Sequence, residues 1–295
     1  MTDTKKRTSV DKAAPVTVPG IQAMKGTRKI CCITAYDYSS GIIADTAGMD
    51  LILVGDSLAM VVLGHEDTLS VTVDEMIHHI RATSRGAKRA LVVGDMPFMS
   101  YCTVDRALET GRRFIAEGHA RAVKLEGGAP VAPQIKALTE AGIPVMAHVG
   151  LTPQHIAKFG GFKAQGKSAE ATKTLIKDAQ AVEAAGAFCV VLEAIPVEAA
   201  ELITEAVSIP TIGIGAGNVT DGQILVYHDT LGLFDRFTPK FVRRFAELGE
   251  AAGSALTRYC EDVRRGTFPG DKNTLYMPDD QLTQLRKIKI KHKKK

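Results

Sequence analysis

LILVGD, residues 51–56, is a run of four branched apolar side chains closed by a glycine and a carboxylate. It is too short for a helix and lacks apolar–polar alternation, so it reads as a strand buried on both faces. LVVGD at 91–95 repeats the pattern. Working outward, comparable runs occur at 30–36, 51–55, 91–94, 122–125, 144–147, 188–192, 211–214 and, more weakly, 224–227. Helical periodicity fills the gaps. Thr72 and Glu75 form a capping box ahead of an apolar stripe through Val73, Met76, Ile77 and Ile80. A second stripe runs from Val104 through Phe114 to a stop at Gly118. A third begins near Ser168 and ends at Gly186, burying Leu175, Ile176, Ala179 and Val182. A fourth follows Pro196, with Leu202, Ile203, Ala206 and Val207 facing inward before Pro210. A final helix is expected over 239–266, with Phe241, Phe245, Leu248 and Leu256 on its apolar side.

This alternation predicts an α/β protein with a parallel sheet. Eight βα units over about 240 residues match a (β/α)8 TIM barrel, with an open doubly wound sheet as the alternative. The expected division is a flexible arm over 1–25, a barrel over 26–270 and a Lys-rich, disordered tail over 271–295.

Composition narrows the function classes. With 45% hydrophobic and 24% charged residues, the 295-residue chain is neither collagen-like, coiled-coil nor wholly disordered. No apolar run approaches the roughly 18 residues of a membrane span, so a soluble protein without a membrane partner is expected. The net charge of +4 is misleading, because residues 286–295 hold one Arg and six Lys and leave −3 for the rest. A terminal basic run of this kind is a solvated tail, so no nucleic-acid partner is expected. Five cysteines with no C-x-x-C pair point to a reducing compartment, the cytoplasm.

The strands are punctuated by ionisable residues: Asp37 after ITAY, Asp56 after LILVG, Asp95 after LVVG, Glu126 after VKL, His148 after VMA and Glu193 after VVL. In a barrel all six fall on the C-terminal rim, where active sites of this architecture form. Asp37, followed by Tyr-Ser-Ser, reads more simply as a helix cap or Asx turn. Asp56 and Asp95 share the V-G-D pattern, and carboxylates repeated at one rim repel unless a divalent cation joins them. Hard oxygen ligands favour Mg2+, or Mn2+, over zinc. Lys124 and Glu126, two apart, share a face, and a buried Lys124 must meet a carboxylate of the protein or of a substrate; a purely structural ion pair with Glu126 or another rim acid is the alternative. His148 reads equally as a core or a catalytic histidine, while His65 and His155 carry little weight. GIGAGN at 213–218 departs from the dinucleotide fingerprint and reads as a turn bringing backbone close to a ligand. FGGFKAQGKS at 159–168 reads as a lid over the mouth or as a surface loop.

Specific strings go further: ITAYDY at 33–38, LVGDSL at 53–58, DMPFMSY at 95–101, VKLEGG at 123–128, HVGLTPQ at 148–154, GGFKAQG at 160–166, VLEAIP at 191–196 and IGIGAGNVTDGQILV at 212–226. Together they resemble the ketopantoate hydroxymethyltransferase family across residues 25–270. That resemblance implies a (β/α)8 barrel of the phosphoenolpyruvate/pyruvate superfamily, Mg2+-dependent and assembled as a homodecamer. It implies hydroxymethyl transfer from 5,10-methylenetetrahydrofolate to the 2-oxoacid 3-methyl-2-oxobutanoate through an Mg-stabilised enolate. The products would be 2-dehydropantoate (ketopantoate) and tetrahydrofolate, at the first step of pantothenate biosynthesis. Carried over residue by residue, Asp56, Asp95 and Glu126 resemble the metal-binding acids; Asp56, Ser57, Asp95 and Lys124 the ketoacid binders; Glu193 the proton acceptor; and His148 a secondary active-site group. Departures from the family pattern are an extra residue near 119–121, Ser70 in place of a common proline, and the Lys-rich extension. The competing readings are a lyase or mutase of the same superfamily and a non-catalytic, metabolite-binding barrel.

Overall fold

A computed structural model describes residues 14–161 and 163–288. Eight strands run β1 Ile30–Thr34, β2 Leu51–Val54, β3 Leu91–Asp95, β4 Ala122–Glu126, β5 Val145–Gly150, β6 Cys189–Glu193, β7 Thr211–Ile214 and β8 Gly222–Leu225. All pair in parallel and in chain order, and β8 returns to β1 through Ile30↔Gly222 to Ile33↔Leu225, closing the barrel. The open-sheet alternative is thereby removed. β8 lies two residues earlier than expected, because the chain turns at Tyr227, whose N–H donates to Thr34 Oγ1 at 2.8 Å and starts the helical turn Tyr227–Thr230.

Strand parity explains why the sequence runs are apolar without alternating. Leu51 and Leu53 pack into the barrel interior with Val93, Met146 and Val191. Ile52 and Val54 face the surrounding helices, among Met76, Ile80 and Phe114. Both faces leave water, so both must be apolar. The same parity carries Leu91, Val93 and Asp95 of β3 inward and turns Gly94 outward. A Cβ on Gly94 would lie 2.7 Å from both Ile80 Cδ1 and Phe114 Cδ2. Gly94 is therefore a packing requirement that lets two helices sit against the strand carrying Asp95.

The helices start where their caps place them. Val73–Gly86 begins with the reciprocal Thr72–Glu75 box, in which Thr72 N–H donates to Glu75 Oε2 at 2.8 Å. Ser168 caps Ala169–Ala184 by accepting from Ala171 N–H at 3.2 Å. In Val197–Ala206, Ile203 is buried but Leu202 is 50% exposed, against the inward placement expected for it. Ala199 and Ala200 take the inward face instead.

Part of the expected flexible arm is packed. Residues 1–13 lie outside the described residues, but Val16 N–H donates to Arg89 O at 2.7 Å. The short helix Val18–Gln22 buries Ile21 with Ile30 at the N-terminal ends of the strands. At the other end, the chain divides into compact units at Ala246 and Glu247, inside the span expected for the barrel. The final helix covers Leu248–Arg265 and not 239–266. Phe241 belongs to the first unit, where its ring fills the space left by Gly215: a Cβ there would lie 2.6 Å from Phe241 Cδ1. In the second unit, Leu248–Arg265 has no buried residue, and Asp279–Leu285 is helical within the segment expected to be a disordered tail. The rest of that tail, from residue 289, lies outside the described residues. No described helix is long and apolar enough to cross a membrane.

Candidate active site

Inward parity continues to the ends of the strands, and there the side chains become ionisable. Asp95 closes β3, Lys124 and Glu126 lie on β4, His148 on β5 and Glu193 at the end of β6, while Asp56 and Ser57 follow β2. Strand register sets Asp95 beside Lys124 and Glu126 beside His148. All seven line one cavity of about 780 Å³ at the C-terminal rim. Asp37 does not line it; it caps the helix Tyr38–Thr46, accepting from Ser40 N–H at 2.7 Å, as its plainer reading anticipated.

The charged groups form a continuous chain. Lys124 Nζ donates to both Asp95 oxygens at 2.8 and 2.9 Å and lies 3.5 Å from Glu126 Oε1. His148 Nδ1 is 3.5 Å from the same Glu126 oxygen, and Nε2 is 3.3 Å from Glu193 Oε2. Neither imidazole nitrogen makes a hydrogen bond, although both are buried. The ring is thus held by the charge of its neighbours more than by hydrogen-bond alignment. At the other end, Asp56 N–H donates to Asp95 Oδ2 at 3.2 Å, and Ser57 Oγ meets the Tyr36 hydroxyl at 2.9 Å.

Charge crowding sets the protonation states. Burial opposes ionisation of Glu126, but Lys124 and His148 outweigh it and draw its carboxyl down to about 2. Burial and Lys124 disfavour the imidazolium, yet Glu126 and Glu193 carry His148 up to about 9. Burial would strip Lys124 of its proton; Asp95, Glu126 and Asp56 hold it in place. Asp56 goes the other way. Burial, then the charges of Asp95 and Glu126, push its carboxyl well above the usual range, and a hydrogen bond from Gln154 only partly offsets them.

This donor set fits a hard divalent cation. Asp56 is a buried carboxyl whose surroundings favour a compensating positive charge, its N–H donates to Asp95 Oδ2 at 3.2 Å, and among the described residues no cysteine lines the cavity. Among the described residues, no three acidic, His or Cys side chains converge as a ready-made metal cage. Glu126 turns instead toward Lys124 and His148. Two carboxylates, with water and substrate completing the shell, is the usual way of holding Mg2+.

Several residues that line the cavity or support its lining carry no signal in the sequence. Asp229, on the turn after β8, lines the wall, and burial raises its carboxyl to about 6. Tyr36, buried at the end of ITAY, orients Ser57. Gln154 was visible only as the last letter of HVGLTPQ, with nothing in its spacing to assign it a role. Phe234, Phe237 and Phe241 form an aromatic wall, with Phe234 and Phe237 edge to face at 5.6 Å. The GIGAGN turn brings its glycine backbone against Phe241 and Val197, so the close approach expected toward a ligand is made to the protein's own side chains. From the 159–168 loop, Ala164 reaches the cavity and Gln165 N–H donates to Ala194 O at 2.9 Å, next to Glu193.

Comparison with known proteins agrees with this geometry. A model of the family "Ketopantoate hydroxymethyltransferase" matches residues 15–271. A 3-methyl-2-oxobutanoate hydroxymethyltransferase of Syntrophobacter fumaroxidans is 58% identical over 94% of this chain and 98% of its own length. One from Oleidesulfovibrio alaskensis is 60% identical over 90% and 92%, and one from Enterococcus faecalis 58% over 87% and 94%. Among solved structures, 2,3-dimethylmalate lyase, described as a PEP mutase/isocitrate lyase superfamily member, superposes with a TM-score of 0.56 at 16% identity, covering 93% of this chain and 96% of its own. Phosphonopyruvate hydrolase gives 0.58 at 13%, covering 92% and 95%. At such identities these two speak for the barrel fold alone. The sequence relatives and the family match speak for more: this chain belongs to the ketopantoate hydroxymethyltransferase family.

Proposed function

We propose that the protein transfers a one-carbon unit from 5,10-methylenetetrahydrofolate to 3-methyl-2-oxobutanoate, yielding 2-dehydropantoate and tetrahydrofolate, the first step of pantothenate biosynthesis. The observation that carries this reading is the convergence of Asp56, Ser57, Asp95, Lys124, Glu126, His148 and Glu193 on one cavity in a chain of this family.

Lys124 and Ser57 bind the ketoacid, the ammonium facing its negative charge and the hydroxyl held in place by Tyr36. Asp56 and Asp95, with Glu126 as the third acidic group, are the residues that would hold Mg2+, and the ion would supply Lewis-acid polarisation of the 2-oxo group. Glu193, whose side chain is 16% exposed at the cavity wall, takes the proton from C3. His148, carried up to about 9 and so a cation, has its Nε2 3.3 Å from Glu193 Oε2 and holds that carboxylate in position at the cavity wall. Both carbon–nitrogen bonds of the folate's methylene carbon break: the enolate carbon bonds to it in place of one nitrogen and a water oxygen in place of the other, while the proton taken from C3 and one proton of that water end on the two folate nitrogens. The aromatic wall limits access by other water, which would compete for the same carbon.

The same reading includes a cytoplasmic homodecamer. Its support is the family resemblance and the second unit, where Leu256, Tyr259 and Val263 of the last long helix are exposed. The test of the activity is NMR detection of 2-dehydropantoate from the ketoacid, tetrahydrofolate and formaldehyde, with and without Mg2+. Metal-dependent product formation supports the proposal. Cleavage of the ketoacid, or no turnover under either condition, overturns it in favour of a lyase or a non-catalytic barrel.

A further inference from the structure

Gln154 lies on the short turn Pro153–His155 after β5 and is 2% exposed. Its Nε2 donates to Asp56 Oδ2 at 2.8 Å and to the Met96 carbonyl at 2.9 Å. Its Oε1 accepts from the Tyr101 hydroxyl at 2.6 Å, and its backbone N–H donates to Glu126 Oε2 at 3.0 Å. Every polar group of the amide is therefore used. The neighbours also fix which way it faces, because a reversed amide would set its oxygen against a carboxylate and a carbonyl, two acceptors. Tyr101 ties the arrangement to β4, its hydroxyl accepting from Glu126 N–H at 3.4 Å.

One residue thus grips two acids, one just after β2 and one closing β4, that repel each other. It occupies one oxygen of each and leaves the other directed elsewhere. Asp56 Oδ1 makes no hydrogen bond among the described residues, while Glu126 Oε1 faces Lys124 and His148, each at 3.5 Å. A tether with this geometry keeps the two carboxylates from spreading when no cation is present and sets the free Asp56 oxygen in advance. Groups that orient metal-binding carboxylates in this way contribute strongly to metal affinity.

We propose that Gln154, with its amide oriented by Tyr101, is a positioning residue that presets Asp56 and Glu126 for a divalent cation and the 2-oxoacid. The inference rests on the reading of Asp56 and Asp95 as the cation's ligands, and the experiment separates the two. Mn2+ binding to the full chain, followed by electron paramagnetic resonance with 3-methyl-2-oxobutanoate present, is compared among wild type, Gln154→Met, Gln154→Glu, Tyr101→Phe and Asp56→Asn, with thermal unfolding recorded for each. Gln154→Met keeps the length of the side chain and the backbone bond to Glu126 but removes the amide; the Mn2+ dissociation constant is expected to rise about 10- to 100-fold. Gln154→Glu keeps the shape but sets an acceptor against Asp56, and is expected to weaken binding at least as much. Tyr101→Phe removes the 2.6 Å bond to the Gln154 amide oxygen together with the longer one accepted from Glu126 N–H, and should weaken binding about fivefold; it decides the matter if the Gln154 variants do not fold. Asp56→Asn should abolish tight Mn2+ binding, and wild-type affinity there would overturn the ligand reading itself. Loss in Asp56→Asn with wild-type affinity in the folded Gln154 variants, or in Tyr101→Phe if they do not fold, would overturn the positioning role alone.

Discussion

Lys124 Nζ bridges the two carboxylate oxygens of Asp95 at 2.8 and 2.9 Å, and the two side chains are only 5% and 2% exposed. A buried pair of this kind costs desolvation of both ions, recovered only while both partners are present. Here the ammonium serves a wider neighbourhood, since Glu126 and Asp56 also hold it charged.

Replacing Lys124 with Met is therefore expected to do two separable things. It leaves Asp95 and Glu126 without their shared cation and lowers stability by about 3–5 kcal/mol, read from the denaturant midpoint at constant m. It also abolishes ketoacid binding, read by titration calorimetry on the folded variant. A midpoint equal to wild type would contradict the electrostatic account of the pair.

Gly150 supports Glu193 from the neighbouring strand. It has φ 99°, and a Cβ there would collide with the Glu193 carbonyl oxygen and lie 3.0 Å from Ile195 Cγ2. Just beyond Glu193, Ala194 is held at φ 48°, a left-handed conformation costing on the order of 1 kcal/mol or more for a residue with a Cβ. Gly150→Ala must distort this segment, so a fall in turnover larger than the change in ketoacid affinity is expected. Wild-type steady-state kinetics in this variant would show that the backbone at Glu193 is not under such constraint.

The N-terminal ends of the strands give the acid limit of stability. Asp50 accepts from Arg28 at 2.7 and 3.0 Å and from Cys31 N–H at 3.0 Å. Burial raises its carboxyl, but Arg28 and the backbone outweigh it and leave the value below the usual range. A depressed folded-state value means the stabilisation is complete above the unfolded value of about 3.9 and is lost as pH falls through the folded one. Arg28→Met should lower stability at neutral pH and flatten its decline below about pH 4 in urea titrations. A decline as steep as in wild type would remove Asp50 as a contributor.

Much of the barrel could be read from the sequence because burial on both faces leaves an unmistakable mark. Leu51 to Val54 cannot alternate when the interior and the helix layer are both dry, and the first polar position after each such run reports the rim. That is why Asp56, Asp95, Glu126, His148 and Glu193 are legible in the sequence. The errors share one physical origin, which is that spacing alone does not say what lies opposite a side chain. Phe241 and Phe245 fit the period of the helix that begins at Leu248, but Gly215 offers Phe241 a place that only a missing Cβ provides. Leu202 fits the stripe of its helix, yet Ala199 and Ala200 make the close contact. Gln154 had no legible role because its partners Asp56, Met96, Tyr101 and Glu126 lie 28 to 98 residues away in the chain.

In the proposed reaction Glu193 removes a proton from C3 of a ketoacid held by Asp56, Asp95 and Lys124. The most direct test of that step is the loss of deuterium from C3-labelled 3-methyl-2-oxobutanoate, followed by NMR without folate, for wild type and Glu193→Gln. Mg2+-dependent exchange is expected from wild type and none from the variant, with ketoacid binding largely retained. Exchange undiminished in Glu193→Gln, or absent from wild type that binds the ketoacid, would contradict that role of Glu193.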